Sequence, residues 1–169
     1  MASRRRVLGV LLGIAAIPAI AIALLVTYIH IERHKAERRL VHLLCETDYQ
    51  ALLEACREIS RRAATGELEA RAYSIRRHPG RYSFPKAILD VGPLFVRIDG
   101  EGLVWVELFW LPSQGALAYP EGYHGDHREG DKELVPGLWF YDEYYDSDHP
   151  KFMKYIDGLI DEGRKSHLH

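Results

Sequence analysis

The chain has 169 residues, with 22 Lys and Arg against 24 Asp and Glu, and two cysteines. That length supports one small domain beyond its N-terminal segment, and two cysteines exclude a disulfide framework. Charge is uneven: residues 1–80 carry 13 basic and 8 acidic side chains, residues 81–169 carry 9 and 16. An acidic second half argues against nucleic acid as a partner, because binding phosphates takes an excess of Lys and Arg.

The first element is Val7–Ile29, an uncharged apolar run of 23 residues between Arg4-Arg5-Arg6 and a charged stretch from Glu32. At about 1.5 Å per residue a helix of this length reaches roughly 35 Å, enough for a hydrocarbon core of about 30 Å. Ala19-Ile20-Ala21 and Ala21-Ile22-Ala23 have the small-x-small form of a signal-peptide cleavage site, and Ser3–Leu8 resembles a twin-arginine export signal. Against cleavage, the run stays apolar through Leu24, Leu25, Val26, Tyr28 and Ile29, beyond the usual signal length. The expectation is an uncleaved single-pass membrane anchor with the bilayer as partner. Arg4–Arg6 on a short tail favour a cytoplasmic amino terminus and an extracytoplasmic domain, although Arg33, Lys35, Arg38 and Arg39 on the far side nearly balance them. Gly9 and Gly13 form a G-x-x-x-G, the spacing of a helix–helix contact in a membrane and hence of a homodimer. Pro18 should bend the span.

Residues 31–45 continue as a charged helix that turns apolar at Leu40, Leu43 and Leu44. Thr47 with Gln50 has capping-box spacing, so a second helix should begin near Asp48. Leu52, Leu53, Cys56, Ile59 and Ala63 form its apolar stripe, Arg57, Arg61 and Arg62 fall on other faces, suited to solvent or, as the alternative, to lipid headgroups, and Gly66 is a stop. On one continuous helix Cys45 and Cys56 would stand roughly 16 Å apart, too far for a disulfide. Residues 67–84 read as a linker, and Pro85–Leu89 as a short helical turn with proline at its first position.

From Leu94 the periodicity changes to that of strands. Phe95–Asp99 and Leu103–Trp110 flank Gly100-Glu101-Gly102, a hairpin signal. In the second run Val104, Val106, Leu108 and Trp110 form the wholly apolar set that should face the core. Further strands are expected at Ala116–Tyr119 and Leu138–Tyr141. A last helix from about Pro150 carries Phe152, Tyr155, Ile156, Leu159 and Ile160 as a core stripe and should end at Gly163. The expected fold class is therefore α+β: an N-terminal transmembrane helix, then a small antiparallel sheet of about four strands covered by helices. The expected organisation is a tail and membrane helix at 1–30, a juxtamembrane helical segment at 31–66, a linker at 67–84 and an α+β domain at 85–169.

Two stretches hold chemistry-bearing residues. Glu121–Asp131 supplies two imidazoles and four carboxylates, with His124, Asp126 and His127 as candidate metal ligands. Three glycines in eleven residues make it a loop, and no H-E-x-x-H or Cys/His spacing is present. Tyr141–His149 is acidic and aromatic, suited to a strand end entering a helix cap or to meeting a basic partner. No P-loop, dinucleotide fingerprint or nucleophile elbow occurs, so catalytic residues are not assigned, no cofactor is expected, and an enzyme is the less favoured reading.

Asp48–Arg62 (DYQALLEACREISRR), Phe84-Pro85-Lys86-Ala87-Ile88 and Leu134–Tyr141 (LVPGLWFY), together with the N-terminal anchor, resemble small bacterial membrane-anchored proteins of no assigned function. The resemblance implies a bacterial source and one tethered domain, and supplies no site residues. The functional expectation is a single-pass membrane protein presenting a small α+β domain for binding or envelope-associated interaction. The alternative is a membrane-tethered metal-dependent hydrolase using His124, Asp126 and His127.

Overall fold

The structure is a computed structural model that describes residues 2–77, 82–110, 113–123, 131–143 and 150–166; the side chains of residues 2–17, 19, 109, 110, 150 and 166 lie outside that description. By its internal contacts the chain divides into two units, Met1–Glu37 and Arg38–His169.

Most of the first unit belongs to helix α1, which runs Ala2–Val41 and includes Pro18. Its charged part is laced by ion pairs one turn apart, Arg33 Nε to Glu37 at 3.2 Å and Lys35 Nζ to Glu32 at 3.0 Å. Among the described residues no helix is long and apolar enough to cross a membrane. The expected transmembrane helix therefore gains no support from the described residues.

In the second unit the fold is α+β, as expected, but the sheet has six antiparallel strands rather than about four. They are β1 (Ala72–Ser74), β2 (Phe95–Ile98), β3 (Val104–Trp110), β4 (Ser113–Ala118), β5 (Lys132–Val135) and β6 (Leu138–Asp142), in spatial order β1-β2-β3-β4-β6-β5. The two missed strands are the edges. β1 has three residues and β5 four, too short for a period-2 pattern to stand out, and each is held by pairing on one side alone. Tyr73 of β1 is nevertheless buried, its hydroxyl donating to the Glu69 carbonyl at 2.8 Å.

Three helices accompany the sheet: α2 (Tyr49–Ala64), α3 (Lys86–Val91) and α4 (Pro150–Ser166). Leu52, Leu53, Cys56 and Ile59 of α2 join Val96, Val104, Val106, Leu108, Ala116, Leu138 and Phe140 of the strands in one core, so the expected inward set of β3 is confirmed as far as Leu108. Asp48, not Thr47, caps α2: its carboxylate accepts from Gln50 N at 2.9 Å and Ala51 N at 3.0 Å. The Thr47 hydroxyl instead donates to the His42 carbonyl at 3.0 Å, because His42–Glu46 forms a π-helical turn between α1 and α2. Gly66, at φ 77°, ends α2 as expected, and Gly92, at φ 68°, ends α3.

Two expectations about α4 need correction. Tyr155 is half exposed and not in the core, whereas Ile156, Leu159 and Ile160 are buried. Gly163 does not end the helix. It is a buried contact point where α4 meets the π-turn so closely that a Cβ would stand 2.0 Å from the Leu44 carbonyl oxygen. The Tyr49 hydroxyl donates to that same carbonyl.

The opposite sheet face carries its own cluster of Leu103, Trp105, Leu117, Tyr119 and Tyr141, with Tyr123 and Trp139 packed against it. Both cysteines are free thiols, although the one continuous helix assumed for their separation is broken at Thr47 and Asp48, which are extended.

Candidate functional site

Helix α2 presents its apolar stripe to the sheet, and one flank of that stripe borders an open cleft of about 490 Å³. Glu54, Arg57, Ser60, Arg61 and Ala64 of α2 line one side; Pro120 and Glu121, just after β4, line the other. Helical spacing explains the first group: 54, 57, 60, 61 and 64 recur at three and four residues and share one face.

Two glycine turns bring backbone up to this flank. In Val135-Pro136-Gly137-Leu138, between β5 and β6, Gly137 takes φ 97° after a proline, the pattern of a type II turn. A Cβ on Gly137 would stand 3.3 Å from Arg57 Nη2, so the guanidinium lies against the turn. In the β2–β3 hairpin Gly102 takes φ 83°, and a Cβ there would come within 2.9 Å of the Ser60 hydroxyl. The Asp99 carboxylate holds that hairpin by accepting from Glu101 N at 3.0 Å and Leu103 N at 2.9 Å.

The result is a graded site. Arg57 and Ser60 are half-buried and form its inner part, while Glu54, Arg61 and Glu121 are exposed at its rim. Arg57 Nε is buried and makes no hydrogen bond among the described residues. An unmet charged donor of this kind costs at least about 1–3 kcal/mol, which a ligand oxygen would recover. By contrast Arg62, one residue beyond Arg61, is engaged with Glu67 at 2.7 Å and the Ser83 carbonyl at 2.6 Å.

The far face of the sheet holds a second polar arrangement. Arg97 Cζ lies 4.3 Å from the Trp105 ring centroid and its Nε bonds Glu107 at 3.0 Å; Trp105 meets the Tyr141 ring edge-on at 4.9 Å. Burial pushes the Glu107 carboxyl above its ordinary range, and the Arg97 charge offsets only part of that shift. Burial likewise raises the Tyr141 phenol, whose oxygen is 3.3 Å from the Ser113 hydroxyl. These contacts link strands β2, β3, β4 and β6 across the sheet.

Compared with family models, curated proteins and solved structures, the chain matches none.

His124, Asp126 and His127 lie outside the described residues, as does most of the Tyr141–His149 stretch. Of the latter, Asp142 accepts from Gln114 Nε2 at 2.9 Å, a cross-strand pair. Among the described residues no three His, Cys, Asp or Glu side chains are placed to hold a metal. Gly9 and Gly13 fall within α1, in the part whose surroundings are not described. Of the stretch Glu121–Asp131 singled out in the sequence, the described structure brings Glu121 to the cleft. Arg57, Ser60 and Arg61 were legible only as the polar side of an amphipathic helix; their signal was the i, i+3, i+4 spacing, which a solvated face shares.

Proposed function

We propose that this is a single-pass membrane protein whose α+β unit binds a ligand or partner close to the bilayer. The observation that carries the tether is the exposure of the apolar run. Ile20, Ile22, Leu24, Leu25, Val26, Tyr28 and Ile29 are each more than half exposed on a continuous helix. Water-soluble chains rarely leave such a row uncovered, and a hydrocarbon environment would stabilise it by on the order of 10 kcal/mol. Residues 7–17 extend the same uncharged run in the sequence to a spanning length. The Arg4–Arg6 tail favours a cytoplasmic amino terminus and hence an extracytoplasmic domain, with Gly9 and Gly13 as the close-approach positions for a second copy. The cleft beside α2 gives the domain a place to bind.

Expression of the full chain followed by alkaline carbonate extraction tests the tether. The protein should stay with the membrane pellet, and Leu24→Arg combined with Val26→Arg should shift it toward the supernatant. Release of the unaltered chain by carbonate overturns the reading. A reporter fused after His169 decides the side of the membrane, and activity confined to the cytoplasm reverses the proposed orientation.

A further inference from the structure

We infer that the cleft beside α2 takes a small ligand by a single oxyanion group, carboxylate or phosphate, seated on Arg57 and Ser60, with the rest of that ligand neutral or cationic. This deepens the binding part of the proposal above and does not depend on the membrane tether, since every residue concerned lies within Arg38–His169.

The cleft volume, about 490 Å³, is in the range of small-molecule sites. Its inner part offers two donors: the buried, unbonded Nε of Arg57 and, one helical turn on, the Ser60 hydroxyl. The Nε edge of a guanidinium matches two oxygens of a carboxylate or phosphate at once. Nη2, which shares that edge with Nε, lies beside the Gly137 turn, so the group is positioned before any ligand arrives. The rim then restricts the class. Arg61 adds a second positive charge, but Glu54 and Glu121 add two negative ones, and no ion pair among the described residues ties these four side chains together. A polyanion such as a nucleotide triphosphate would meet those carboxylates with unfavourable charge. A ligand with one anionic head and an ammonium or neutral body would meet each charge with its complement.

The test uses the full chain in detergent micelles with its arginine side chains labelled with nitrogen-15. It is titrated separately with acetate, glycine, inorganic phosphate and phosphoethanolamine, and the Arg57 resonance is assigned by its loss in Arg57→Lys. A saturable shift of the Arg57 Nε–H signal is expected with glycine or phosphoethanolamine, stronger than with the matching simple anion. Which of the two binds identifies the head group. Arg57→Lys and Ser60→Ala should each weaken binding about tenfold or more, measured by calorimetry at unchanged circular dichroism. Glu121→Gln should remove the preference for the zwitterion over the simple anion. A probe that binds while shifting only other residues overturns the assignment to this cleft and leaves a binding domain standing. Binding by none of the four, or undiminished binding to a folded Arg57→Lys, overturns the inference outright.

Discussion

Gly163 is the residue at which the tertiary structure is least forgiving. Its missing side chain lets α4 approach the Leu44 carbonyl, leaving space for neither a methyl group nor a shift, since the neighbouring Tyr49 hydroxyl would also lie 3.0 Å from a Cβ. Gly163→Ala should therefore destabilise the fold by about 2 kcal/mol or more in urea unfolding, although alanine is the better helix former. A result near zero would mean that α4 is not held there. The cysteines make a second case. Burial pushes the Cys56 thiol up to about 12 from 9.0. In the native protein it should thus resist alkylation at pH 8 and react on unfolding. Because this proton is held more tightly in the folded state, its contribution to stability is complete below pH 9 and is lost as pH rises toward 12. Tyr49, raised from 10.0 to about 12 by burial, acts in the same direction, so unfolding free energy should fall steadily above about pH 9.

At the scale of elements, α2 separates two kinds of information. Its inward stripe was readable from spacing, because burial on one side of a helix imposes a 3.6-residue period. Its outer flank was not, because a solvated face and a cleft wall use the same polar residues. The two predict different consequences. Ile59→Ala, which removes a fully buried side chain, should cost about 2–5 kcal/mol. Arg61→Ala, at the exposed rim, should leave stability within about 0.5 kcal/mol and alter ligand binding alone. Denaturant midpoints of the two variants check both. The sheet shows the same division. The hairpin of β2 and β3 announced itself through Gly100-Glu101-Gly102, whereas β1 and β5 are too short to carry a pattern and exist because a neighbouring strand offers unpaired backbone groups. Gly115 was silent for a related reason. Its need for glycine comes from the Val106 carbonyl oxygen, 1.9 Å from where a Cβ would be, beside the irregular register of β3 and β4.

For the molecule as a whole, every residue of the two described cores lies between Leu40 and Ile160. A chain beginning at Arg38 should consequently fold, with a cooperative melt within a few degrees of the full-length protein, and should leave the membrane fraction. Loss of the cooperative transition on truncation would show that residues before Arg38 complete the fold. Sequence alone determined the uncharged run from Val7 to Ile29, the class α+β, the inward faces of α2 and β3 and the stop at Gly66. Each of these is a local pattern, set by period, charge or the conformational freedom of one residue. Tertiary structure alone decided the edge strands, the π-turn against Gly163 and the cleft at Arg57, since each depends on residues distant in the chain, whose meeting leaves no periodic trace in either segment.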